Sequence, residues 1–481
     1  MTTEVLMTIV VVFATAALAP LLCQLAKRVL NIPVVVMEVF LGIIIGPGVL
    51  GLVSSNPILA GLAAIGVWFL FYSAGYETDF FSIRDRLPIA SAAWLACLVL
   101  AVGAGMIIAA FLPETYTSRF VAAVFIGGAL VSTGLGTMLP MMRDANQIET
   151  RIGRAVISSG VIGQFAPQIA LGIIVGVFRP LPSLGLHAAF FIATAGLIWL
   201  AGRYGMPRAA AQTQTATLDT GAQWGVVFQA AICFAFVLIG DLLGVDRAIG
   251  AFAAGLLTRQ LLFRTPAAER HVIDRKMKGI AGGMLLPIFF IHAGITFDLP
   301  GLIAQPAAFA LIPLFFILKL LLRGVPGSVT LERPNSFRER ASVSLLVGTG
   351  LAAVILISQH GLAAGAISST TASALIGAAM LTVLVYPTIA LNLANADPAN
   401  QTPANQAPAN QAPANQAPAN LIVTDPAPAD LLPAYPYPQV ETDFSVEPDA
   451  QLPTDYGVMA ATAQGPRVYH VAPINQAVPV G

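Results

Sequence analysis

GALVSTGLGTMLP, residues Gly128–Pro140, decides how the rest of this chain is read. It lies inside a run apolar enough to cross a bilayer, and Ser132-Thr133-Gly134 interrupts that run near its middle. Glycines and hydroxyl residues weaken a helix where they cluster. A free N–H or C=O in hydrocarbon is costly, so irregular backbone persists there only where it lines a cavity enclosed by protein or filled with water. In secondary transporters, interrupted crossings present helix ends and unpaired backbone groups to the transported ion.

Working outward, the 481 residues are 57% hydrophobic and only 10% charged, against about 25% charged in an average soluble domain. Apolar runs of roughly 20 residues recur from Glu4 to Asn395, the pattern of an all-α polytopic membrane protein. Thirteen transmembrane helices are expected, at about 4–26, 32–51, 58–76, 88–112, 119–140, 155–178, 185–202, 222–241, 245–262, 280–297, 302–322, 340–359 and 366–393. The ninth is short and opens on Asp246 and Arg247. MTTEV at the start carries an acid and no base, which reads against a cleaved signal peptide.

Loops after odd-numbered crossings hold 19 basic residues, Arg323 among them, whereas the opposite side holds Arg119, Arg179 and Arg247. This bias puts the odd loops in the cytoplasm, with the N-terminus outside and the C-terminal tail inside a plasma membrane. Residues 1–395 form the membrane domain. Residues 396–481, with NQAPA repeats and a Pro-rich acidic stretch, have no apolar periodicity to bury and are expected to be disordered.

Several function classes drop out. Net charge is zero and no extended basic strip is present, so no nucleic-acid partner is expected. Cys23, Cys97 and Cys233 are far apart, with no His or Cys at metal spacing, and read as buried small hydrophobes; no metal site and no cofactor is expected. The five histidines are dispersed and form no nucleophile–base pair, so the chain does not read as an intramembrane enzyme.

A second weakened crossing, at Arg338–Leu362, carries Gly348-Thr349-Gly350 near its middle. The two breaks are seven crossings apart, an odd offset, so their helices run in opposite directions as an inverted repeat requires. Crossings two to six then correspond to nine to thirteen. Small residues also serve close helix packing, the reading given to Gly42 and Gly46.

IPVVVMEVFLGIIIGPGVLG (Ile32–Gly51), FLFYSAGYETDF (Phe69–Phe80), GVDRAIGAFAAGLL (Gly244–Leu257), LLPIFFIHAGITFDL (Leu285–Leu299) and LKLLLRGVPG (Leu318–Gly327) stand in the order of a known family. The chain resembles the membrane domain of the cation:proton antiporter-2 family, bacterial exchangers of sodium or potassium for protons. The resemblance spans nearly all of residues 5–395 and stops at the tail. It implies thirteen helices, a homodimer, two broken helices that cross, and a core that moves against a dimerisation domain. It also implies a carboxylate on the sixth crossing, where cation and proton compete, and a basic residue on the eleventh.

The sixth crossing departs from that pattern. AVISSGVIGQFAPQIALGIIVG (Ala155–Gly176) has no acid, and Gln164-Phe165 stands where a Gln-Asp pair is expected from the resemblance. Gln164 and Gln168, four apart, share a face and flank Pro167, which frees a carbonyl one turn earlier. Their neutral oxygens suit Na+ or K+ but cannot exchange a proton; the other reading is hydrogen bonding between helices. Ser132, Thr133 and Thr349 join them as ion-binding candidates. Lys319 matches the family's basic residue and is the first candidate for the proton, although a lysine near the end of an apolar run also snorkels to the interface. Glu38 and His292 are further proton or charge candidates, each with a structural reading beside it. The expected function is exchange of a monovalent cation for protons by alternating access. The alternative is an antiporter-derived membrane protein that regulates or scaffolds without transporting, for which the missing acid speaks.

Overall fold

The computed structural model describes residues 3–26, 32–78, 85–111, 118–145, 147–148, 150–177, 182–218, 220, 222–331 and 336–395. The tail at 396–481 lies outside them. Among the described residues the chain is helical throughout: α1 (Thr3–Ala26), α2 (Val34–Ile45), α3 (Pro57–Glu77), α4 (Leu87–Phe111), α5 (Arg119–Val131), α6 (Leu135–Asp144), α7 (Arg151–Val177), α8 (Pro182–Tyr204), α9 (Arg208–Ala216), α10 (Trp224–Leu242), α11 (Arg247–Leu261), α12 (Ala267–Ile280), α13 (Leu286–Ile295), α14 (Leu299–Ala304), α15 (Pro306–Lys319), α16 (Phe337–Gly348), α17 (Ala352–Ala363) and α18 (Ser369–Asn395).

Each of the thirteen expected segments falls on a helix or a broken pair of helices. Nine stretches among the described residues are long and apolar enough to cross a membrane, and α16–α17, bent by 40° at its break, makes a tenth. α2, with 12 residues, and α5, with 13, are shorter apolar helices. The short ninth segment is α11. Asp246 caps it, Oδ1 accepting the Ala248 N–H at 2.8 Å, which accounts for an acid at the head of an apolar run. Wide-turn π segments interrupt two of the long stretches, Ala281–Leu285 between α12 and α13 and Leu320–Gly324 after α15.

Small residues set the packing distances. A methyl group on Gly42 would stand 2.3 Å from the Ile291 carbonyl oxygen, and one on Gly294 would stand 2.1 Å from that of Val39. The backbones of α2 and α13 therefore touch, which is the role the spacing of Gly42 and Gly46 suggests. Val12, Ile45, Leu59, Ile288 and Ile291 pack beside this contact as a small cluster. The larger core joins the remaining helices through aromatic residues such as Phe71, Phe165, Phe252 and Phe289.

Candidate functional site

Both breaks occur where the sequence weakens the helices, and they touch. Ser132 ends α5 at φ −73°, ψ 148°, and Thr349 ends α16 at φ −76°, ψ 133°, nearly the same conformation at matching positions. The Gly134 N–H donates to the Thr349 carbonyl at 2.9 Å, and the Thr133 hydroxyl donates to the Val347 carbonyl at 2.8 Å. Gly350 has room for no side chain, since a methyl group there would meet the Gly134 nitrogen at 2.9 Å.

Unwinding a helix strands backbone donors, and here each finds a partner. The Ser132 N–H reaches the Ala129 carbonyl at 3.4 Å, and the Thr133 N–H reaches the Gly163 carbonyl of α7 at 2.9 Å. Gly163 lies four residues before Pro167, which has no N–H to offer it, so its carbonyl is available. The Leu135 N–H, at the start of α6, donates to Gln164 Oε1 at 2.8 Å. The sixth crossing thus braces the break from the side with one carbonyl and one amide oxygen.

Two basic residues complete the crossing. Lys319 is 2% exposed, and its ammonium donates to the carbonyls of Ser132 at 2.7 Å and Ala129 at 3.1 Å and to Ser132 Oγ at 3.3 Å. These oxygens are the C-terminal end of α5, where the aligned peptide dipoles favour positive charge. Lys319 is therefore seated inside the protein and does not snorkel. Arg323, counted above with the loop bases, is 0% exposed. Its Nε donates to Thr133 Oγ1 at 2.9 Å, and its Nη2 donates to the Ser159 carbonyl at 2.6 Å and to Ser159 Oγ at 3.0 Å. The Cys97 thiol of α4 lies beside the guanidinium. Among the described residues no carboxylate pairs with Lys319 or Arg323. The one sequence signal for Arg323 is its spacing of four from Lys319, which sets both on one face of a helix.

The remaining candidates lie apart from this cluster or enter it only in part. The Thr349 hydroxyl turns back to the Leu345 carbonyl at 3.0 Å, so its carbonyl alone joins the crossing. Gln168 is buried one turn beyond Gln164 and reaches none of these groups. His292 pairs through Nε2 with Ser55 Oγ at 3.0 Å on α13. Glu38 is buried in α2, away from the crossing of the two breaks. Phe165, in the register of the expected acid, stacks on Phe252 of α11 with ring centres 3.3 Å apart and meets Phe71 of α3 edge-on.

What can this arrangement do? It offers a cluster of main-chain oxygens at the end of a helix, occupied by a lysine ammonium, with an arginine fixing the chain around them. Such oxygens suit a small desolvated cation as well as an ammonium. The pattern of the family described as "Sodium/hydrogen exchanger, transmembrane" matches residues 13–393. A Na(+)/H(+)-K(+) antiporter of Bacillus cereus, GerN, is 25% identical over 367 residues, covering 74% of this chain and 88% of that protein. A Na(+)/H(+) antiporter of Enterococcus hirae is 22% identical over 374 residues, covering 76% and 92%. The solved structure of the sodium proton antiporter MjNhaP1 from Methanocaldococcus jannaschii superposes with a TM-score of 0.57 at 18% identity, over 81% of this chain and 99% of that one. That last likeness concerns the fold.

Proposed function

The chain belongs to the sodium/hydrogen exchanger transmembrane family, and from that premise we propose that it exchanges a monovalent cation, Na+ or K+, for protons by alternating access. In this reading it works as a homodimer in the plasma membrane, with its N-terminus outside. One observation carries the proposal: Lys319 Nζ rests on the Ser132 and Ala129 carbonyls, the oxygens an entering cation needs. A protonated amine and a metal ion cannot share them. A cation that takes these oxygens drives Lys319 to release one proton and become a neutral amine. When the cation leaves, an ammonium re-forms on the same carbonyls. One charge enters for each that departs, so a buried carboxylate is not required at this step. Arg323 stays charged throughout and holds Thr133 and Ser159 in place while the occupant changes.

Proteoliposomes loaded with a pH-sensitive dye test this reading. Addition of Na+ or K+ to vesicles with an imposed pH gradient is expected to dissipate it. Lys319→Ala is expected to reduce cation-dependent proton flux by at least about tenfold, in line with what a positioned proton-transfer group contributes. Proton flux that ignores the cation rejects the exchange.

A second reading has its own support. Phe165 fills the expected acid's place between Phe71 and Phe252, as fits an antiporter-derived protein that regulates or scaffolds and no longer transports. Cation-dependent proton flux that appears in Phe165→Asp and is absent from the natural chain selects this reading.

A further inference from the structure

A cavity of about 700 Å³ opens between α3, α7, α11, α13 and α17, on the side that the basic-residue bias assigns to the exterior. Its walls are largely apolar, with Val67, Phe125, Leu171 and Phe289 among them. The charged groups and histidines around it are engaged. Arg247 Nε donates to Asp241 Oδ1 at 2.8 Å, and Asp246 Oδ2 lies 3.2 Å from His360 Nδ1. His292 is tied to Ser55, and His187 is engaged as well.

Gln168 differs from all of these. It is 3% exposed, it lines the cavity, and neither Oε1 nor Nε2 has a partner. Among the described buried side chains that line the cavity, it is the one left wholly unsatisfied. An amide shut away from water without a partner is destabilising, and such a group calls for an occupant. One turn along α7, Gln164 spends the same amide oxygen on the Leu135 N–H. Two glutamines of one face therefore have different employment: one props the break, the other waits.

We propose that Gln168 and the cavity form an outer cation site, in series with the helix crossing. Gln168 Oε1 replaces one water on an entering Na+ or K+, and Nε2 donates to another water of the ion's shell. The rim favours a cation, with two carboxylates against one guanidinium as fixed charges. A neutral amide holds the ion weakly, which suits a station that must also let it go. This inference rests on the exchange reading for its purpose, though binding at Gln168 is measurable without it.

The experiment compares wild type with Gln168→Leu and with Gln168→Met, a side chain of equal length without hydrogen-bonding atoms. Cation-dependent proton flux in proteoliposomes gives the half-saturating Na+ or K+ concentration and the maximal rate. Protection of the purified protein against thermal unfolding by NaCl or KCl, against choline chloride as control, gives a midpoint independent of transport. The half-saturating concentration is expected to rise about five- to tenfold in both variants, with the maximal rate within about twofold; the protection midpoint moves with it. Unchanged half-saturation and midpoint overturn the site. If wild type exchanges nothing yet is protected, and the variants shift that midpoint, the outer site stands and the exchange reading falls. A wild type showing neither response overturns both. If Gln168→Leu does not elute as a single folded species, Gln168→Met decides by the same criteria.

Discussion

Arg323 teaches the most about what a side chain does here. Its guanidinium reaches Thr133 through Nε and Ser159 through Nη2, a two-direction grip that an ammonium on a shorter reach cannot copy. Arg323→Lys is expected to leave Thr133 and Ser159 without their donor and to destabilise the protein by about 2–4 kcal/mol, read as a lower unfolding temperature in detergent. An unchanged unfolding temperature would mean that the grip carries no stability. Gly163 belongs to the same arrangement, because a methyl group there would meet Arg323 Nη2 at 2.4 Å and Thr133 Oγ1 at 2.5 Å. Legibility divides along these contacts. Lys319 was accessible through the resemblance, since its motif is contiguous. Arg323 reads as a loop residue because the apolar run ends just before it; the turn Leu320–Gly324 carries the helix on and buries it. Gln164 and Gln168 are alike in sequence, and only their neighbours in space distinguish a cap from an unpartnered amide.

For the helical elements, the breaks were the most readable feature. Ser132-Thr133-Gly134 and Gly348-Thr349-Gly350 mark where α5 and α16 stop. Pro167 was readable too, because a missing N–H must free the carbonyl four residues back, and the Thr133 N–H takes that carbonyl. What the sequence does not contain is which freed group meets which stranded donor, for that depends on three helices converging. The Thr133 hydroxyl acts both ways, accepting from Arg323 and donating to Val347. Thr133→Val, which keeps the shape, is expected to cost about 1–3 kcal/mol by leaving a buried donor and acceptor unmatched. Thr133→Ser is expected to retain most of the stability, as thermal unfolding of the two variants would show. A loss in Thr133→Ser with none in Thr133→Val would instead assign the cost to packing of the methyl group.

Across the whole molecule, the bias of basic residues predicts which surfaces face each compartment. Ala363 sits at the rim of the cavity, and Ala216 ends α9 in the expected cytoplasmic linker; both are exposed. A membrane-impermeant maleimide applied to intact cells is expected to label Ala363→Cys and to spare Ala216→Cys until the cells are opened. The three natural cysteines are buried, so background labelling stays low. The reverse pattern would invert the topology and, with it, the side from which a cation enters the cavity.

The seating of Lys319 and Arg323 also bears on how the chain is made. A lone helix bearing two such charges would meet a barrier of about 2.5–3.5 kcal/mol for each on entering lipid at mid-depth. Their hydrogen-bond acceptors, Ala129, Ser132, Thr133 and Ser159, all precede them in the chain. A ribosome therefore delivers the receiving half before the charged helix leaves the tunnel, and synthesis in this order spares the newest segment a solitary stay among acyl chains.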